Sequence, residues 1–192
     1  MKRVEEVSCS GNFALHLEHV PSSGNIADAP SRALSYSDCS WSTVAWARVQ
    51  SRFGPHTFDL LSLDSNYCRS RDGNFLPHYW PWPTINSSGT NVFAQPIPTK
   101  HNVYVFPPFV FVGPLLHHFL DQRQRFAFTI IVPRFHPRRY WWTILHALAV
   151  DSLLLRRKAN PFVLQFPSRS SPVFTARPVP WNLWAFRCIS HG

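Results

Sequence analysis

The chain has 192 residues, enough for one domain or one domain plus a fragment, and its 45% hydrophobic content can supply a core. Eighteen prolines exclude a bundle of long helices, and the absence of any apolar run of about eighteen residues excludes a membrane span. The formal net charge is +9. Its distribution is uneven: residues 1–119 hold eight basic and eight acidic residues, whereas residues 120–192 hold eleven basic residues against Asp121 and Asp151 alone. Sixteen of the nineteen basic residues are arginine. Arginine forks match phosphate and stack on bases, which points to a nucleic-acid partner; the competing reading is an arginine-rich composition that forms no patch. Three classes stay open at this level: a globular α/β domain, a piece of a polyprotein, or a remnant that folds poorly.

Met1-Lys2-Arg3-Val4-Glu5-Glu6 leads into a polar stretch and not into a signal peptide. Cys9, Cys39, Cys68 and Cys188 are widely and irregularly spaced, with no CxxC pair, which argues against a zinc module. An even count allows disulfides, but the cysteines read as reduced thiols of an intracellular protein, nuclear or cytoplasmic.

In chain order, residues 13–20 alternate as a strand does, and Pro21-Ser22-Ser23-Gly24-Asn25 is turn chemistry. Ile26–Arg32 reads as a short helix or turn ended by Pro30, and residues 33–38 as a mixed connector. Asp38 or Ser37 can cap a helix over Cys39–Arg52, whose apolar positions Trp41, Val44, Ala45 and Val49 recur every three to four residues. Gly54-Pro55 ends it. Thr57–Leu61 reads as a short strand, and Asp64, Ser65 and Asn66 as a polar loop. Residues 69–101 carry little periodicity, so they are functional or poorly ordered. Residues 102–106 form the expected central strand, stopped by Pro107-Pro108. The spacing of Leu115, Leu116, Phe119 and Leu120 predicts a helix over Val112–Leu120. A strand is expected at Phe126–Val132, a helix from Pro137 to Val150, and a strand at Phe162–Phe166. Ser168–Gly192 reads as an arginine- and proline-rich tail. Alternation of this kind predicts an α/β fold with a mostly parallel, Rossmann-like sheet. Ligands bind such sheets at the carboxyl ends of the strands, which makes the Asp59 loop and the Pro107-Pro108 loop expected neighbours.

Two stretches resemble one source. Asn25-Ile26-Ala27-Asp28-Ala29-Pro30-Ser31-Arg32 resembles the N-x-A-D-x-x-S-R end of the ribonuclease H domain of retroelement polyproteins. The resemblance implies that Asp28 matches the last of the carboxylates that hold magnesium. The others would lie upstream of Met1, and one carboxylate cannot build a two-metal site, so Asp28 is vestigial on this chain. The run from Phe53-Gly54-Pro55 through Asp59 and Asn66, then Phe106-Pro107-Pro108-Phe109, Ile131-Val132-Pro133 and Trp141-Trp142, is similar to the Dam-like adenine methyltransferase module of DIRS-type retrotransposons. There the module comes directly after ribonuclease H. The implied division is 1–37 as a ribonuclease H remnant and connector, 38–167 as the methyltransferase-like domain, and 168–192 as the basic tail.

That resemblance implies S-adenosylmethionine as cofactor, and DNA or an RNA–DNA hybrid as partner. In the family, a flipped adenine meets a D/N-P-P-Y/F loop. The Asp or Asn side chain and a proline carbonyl accept from the amino group, and the aromatic stacks on the base. Carried over by position, Asp59 is the strand-end acid that helps hold the cofactor, with Asn66 in the loop after it. Pro107, Pro108 and Phe109 are the last three positions of the catalytic loop. The first position is Phe106, which has no oxygen to accept with, and Leu60-Leu61-Ser62 stands where a glycine-rich cofactor loop is usual. An impaired enzyme is expected; the alternatives are a non-enzymatic nucleic-acid-binding accessory domain and a remnant reading frame. Arg134, Arg138 and Arg139, beyond a strand end and at a helix start, are the phosphate candidates. Trp141-Trp142 reads chiefly as helix-to-sheet packing, and the adjacent His117-His118 are poorly placed to share one metal. Composition and spacing leave the oligomeric state open.

Overall fold

Why the apolar runs of this chain become a sheet is visible in their alternation. The computed structural model describes residues 39–63, 66–80, 86–156, 163–167, 174–176, 179 and 181–191. All belong to the unit Leu34–Gly192. The expected strand at 13–20 and Asp28 lie outside the described residues.

Strand β1 (Ser40–Trp41) precedes helix α1 (Thr43–Phe53). The helix begins later than its sequence suggests, because Ser42 and not Asp38 or Ser37 caps it: Ser42 Oγ accepts from the Ala45 N–H at 3.3 Å. Replacing Ser42 by alanine should lower stability by about 1 kcal/mol, seen as a lower urea midpoint at unchanged slope. Val44, which its spacing puts on the packed face, is exposed, whereas Ala45, Val49 and Phe53 are buried.

Next come β2 (Phe58–Asp59), the short parallel pair β3 (Tyr79–Trp80) and β4 (Gly89–Thr90), and β5 (Val103–Val105). Helix α2 (Val112–Leu120) has the bounds that its periodicity predicts, with Leu115, Leu116 and Phe119 buried and Leu120 exposed. Strand β6 (Ala127–Arg134) runs two residues past Val132, and helix α3 (Trp141–Leu148) starts four residues after Pro137. Beyond it lie β7 (Ala149–Arg156), β8 (Leu164–Pro167), β9 (Phe174–Ala176) and β10 (Asn182–Ile189).

The main sheet has five strands in the order β2-β5-β6-β10-β7. Strands β2, β5 and β6 pair in parallel, and β10 runs antiparallel to both β6 and β7. The sheet is therefore mixed and not mostly parallel, which corrects the expectation. Two strands account for the difference. Residues 149–156, at and just beyond the expected helix end, form the edge strand β7. Residues 182–189, within the expected tail, form a strand with neighbours on both sides.

Alternation along each strand splits the core into two layers. Val103, Val105, Phe128, Ile130, Val132, Phe186 and Cys188 face α2 and α3. Tyr104, Ile131, Leu183 and Ala185 face α1 and a second sheet of order β1-β8-β9. Trp141 and Trp142 are buried in the first layer, as packing residues should be. A buried polar net ties the α1 end to the sheet. His56 Nε2 meets Thr129 Oγ1 at 2.8 Å, His56 Nδ1 meets Gln50 Oε1 at 3.1 Å, and Arg187 donates to Thr129 Oγ1 at 3.2 Å and to Asn102 Oδ1 at 2.5 Å. None of the described helices is long and apolar enough to cross a membrane.

Candidate functional site

Strands β2 and β5 are parallel neighbours, Phe58 opposite Val103 and Asp59 opposite Tyr104, so their carboxyl ends meet. That brings Asp59, Asn66, Phe106 and Pro108 round one pocket, together with Trp41, Ser62, Cys68 and Tyr104. Four positions singled out in the sequence thus share a wall. Pro107 and Phe109 do not line this pocket. They face a neighbouring apolar hollow of about 70 Å³, beside Leu164, Phe166 and Trp181. Phe109 packs edge-on against Trp181 at 5.2 Å and Phe135 at 5.7 Å. In this arrangement its ring is committed to neighbours in the chain.

Asp59 is 1% exposed. Its backbone N–H donates to Pro77 O at 2.9 Å, and its Oδ2 accepts from the Cys68 N–H at 3.2 Å. Among the described residues, Oδ1 has no hydrogen-bond partner, nor has the buried Oγ of Ser62 three residues on. Burial pushes the Asp59 carboxyl up to about 6, against the opposing pull of the Cys68 amide and thiol, the His78 ring and the Leu61 amide. Burial likewise drives the Cys68 thiol and the Tyr104 hydroxyl well above their ordinary values, with the Asp59 charge adding to both. The Tyr104 hydroxyl accepts from the Trp41 indole N–H.

Asn66 spends its side chain on the backbone: Oδ1 accepts from Leu63 N–H at 2.7 Å, and Nδ2 donates to Cys39 O at 3.1 Å. It holds the loop after β2 in shape. Phe106 lies on Trp41, ring centroids 4.8 Å apart. An aromatic contact thus occupies the place where the family's loop carries an oxygen.

The pocket is partly open and its interior space is about 30 Å³, room for two or three waters when one needs about 10–15 Å³. An organic cofactor needs a site of several hundred Å³. Asp59 Oδ1 and Ser62 Oγ offer acceptors of the kind a ribose or ammonium would use, but the pocket in this form does not fit S-adenosylmethionine.

The three arginines separate. Arg134 and Arg138 line a cleft of about 410 Å³ on the α3 side. Arg139 lies outside it, its guanidinium 5.4 Å from the Phe135 ring, and lines a pocket with Phe109 and Tyr140. Among the described residues no three His, Cys, Asp or Glu side chains gather to hold a metal ion.

Trp41, Cys68 and Tyr104 are among the pocket residues that the sequence does not single out for a site. Tyr104 carries a signal, since it alternates with Val103 and Val105 and must face the other layer; Cys68 carries none, because it arrives from a loop without periodicity. Comparison with models of known protein families gave no match, and comparison with curated proteins gave none either.

Proposed function

We propose that the chain is a methyltransferase-like domain of a retroelement polyprotein that has kept a strand-end scaffold, has lost methyl transfer, and serves as a nucleic-acid-binding accessory domain. One observation carries the loss. At the first position of the Pro-Pro loop, Phe106 is packed on Trp41 in the wall of the Asp59 pocket. An amino nitrogen presented there would meet hydrocarbon, and nothing at that position would accept its hydrogen bond. The small volume and the side chains of Leu61 and Ser62 in the same pocket act in the same direction. The scaffold half of the proposal draws on the adjacency of Asp59 and Pro108 at the ends of parallel strands. The nucleic-acid half draws on the concentration of positive charge in residues 120–192.

Calorimetry with S-adenosylmethionine tests the loss. No saturable heat is expected up to about 1 mM ligand, and no methyl transfer to adenine-containing DNA. The substitution Phe106→Asn returns an acceptor but leaves the small space, so it should restore neither. Saturable binding with methyl transfer by the unaltered chain overturns the proposal.

A further inference from the structure

The cleft on the α3 side has a lining that the Asp59 pocket lacks. Arg134 comes from the end of β6, Arg138 from the turn after it, Trp142 and His146 from α3, Ser152 from β7, and Trp184 from β10. Residues 134–152, running from the end of β6 through α3 into β7, therefore meet the distant strand β10 at one cleft. Phe186 floors the cleft, with the Trp184 ring stacked on it at 6.1 Å and 29°, and the Trp142 ring edge-on at 5.8 Å. Trp184 is partly buried and lines the cleft beside that floor.

The polar balance is one-sided. Among the described residues, no carboxylate lines the cleft. The adjacent Asp151 is engaged elsewhere, 2.8 Å from Arg52. Arg134 Nε and Trp184 Nε1 are buried behind the lining and have no acceptor within the described residues. Two guanidinium groups beside aromatic rings, with no carboxylate among the described lining residues, suit a ligand that is anionic at one end and planar at the other. The volume, about 410 Å³, is in the range of sites that hold small organic ligands.

We propose that this cleft binds a nucleotide unit, with the phosphate held by Arg134 and Arg138 and the base laid against Trp184. Two sources share that chemistry, a free nucleotide and one unit of a single strand. The inference rests on the accessory-domain reading for the class of partner only; its location owes nothing to the Asp59 pocket.

The test uses the full chain and two probes, adenosine monophosphate by calorimetry and an end-labelled single-stranded oligonucleotide of about ten bases by fluorescence anisotropy. The double variant Arg134→Gln/Arg138→Gln should weaken binding roughly ten-fold or more. A charge-matched control, Arg123→Gln/Arg125→Gln, alters two exposed arginines elsewhere and should weaken it less than about two-fold. Arg138→Gln alone, at an exposed position, keeps the test open if the double variant fails to fold, and should also lose affinity. Saturable binding of the mononucleotide with this variant pattern identifies a free nucleotide as the source; binding of the oligonucleotide alone, weakening with salt, identifies a strand. Equal losses in the two double variants, or no saturable binding of either probe, overturns the proposal. A failure here leaves the cofactor experiment untouched, because the two read different pockets.

Discussion

Truncation after Ser168 should leave no folded domain. The residues removed include β10, which pairs with β6 along its whole length and with β7 on its other side. Leu183, Ala185 and Cys188 on this strand are fully buried, and Phe186 is 4% exposed. Removing a buried Leu side chain costs about 2–5 kcal/mol, and a Phe about 3–5 kcal/mol. Loss of the whole strand, with exposure of the β6 and β7 faces it covers, is on the order of 10 kcal/mol, comparable to the full stability of a domain. Circular dichroism and urea titration of the truncated chain give the answer. A retained cooperative transition would mean that this segment is an appendage and that the sheet holds without it.

A second large effect concerns two buried groups whose pH dependences oppose each other. Burial, with a smaller contribution from Arg187, lowers His56 from 6.5 to about 3, so its stabilising neutral form is fully present above about pH 6.5 and the benefit is lost as pH falls toward 3. Burial raises Asp59 from 3.8 to about 6. Its neutral form is the favoured one, so its contribution is full below about pH 3.8 and is lost as pH rises through 6. Between pH 7 and pH 4 the His56 loss amounts to about 3 kcal/mol and the Asp59 gain to about 2 kcal/mol. The two largely offset each other, and these groups together should leave a net fall of about 1 kcal/mol on acidification across that window. The single variants separate them. Asp59→Asn should expose the His56 slope, with stability falling by about 3 kcal/mol on acidification. His56→Gln should expose the opposite slope, with stability falling by about 2 kcal/mol as pH rises from 4 to 7. Urea titrations at pH 4, 5, 6 and 7 (about unit steps, to span both shifts) read this directly. Parallel slopes in the three proteins would show that neither group titrates as its surroundings dictate.

The parts of this fold that are legible in the sequence are those with local periodicity. Leu115, Leu116 and Phe119 fix α2 by their spacing, and the alternation across Val103–Val105 and Phe128–Val132 fixes β5 and β6. The illegible parts depend on distant partners. Leu153-Leu154-Leu155 is an apolar run that suits helix or strand equally, and pairing with β10 decides it. Trp184 and Phe186 lie on one face of a strand, but the prolines and arginines before them suggest a tail. Strand direction is not written in any of these segments, so the mixed sheet has no local signature. The neighbourhood of Asp59 and Pro108 is accessible because strand ends in an α/β sheet converge by rule. The Arg134 cleft is not, because two of its walls, β7 and β10, become strands only through distant partners, β10 between β6 and β7, and β7 on β10.

The position of β10 also bears on the order in which the protein can be completed. A ribosome delivers β2, β5, β6 and β7 first, and β7 has no partner in the main sheet until the strand that separates it from β6 has been made. Earlier segments can collapse around α2, but the sheet closes at its middle, not at its edge, and only once residues 182–189 have been synthesised. Until then the β6 and β7 edges stand open to other chains. Production of this protein is therefore most exposed to aggregation in the interval between the emergence of β7 and that of β10.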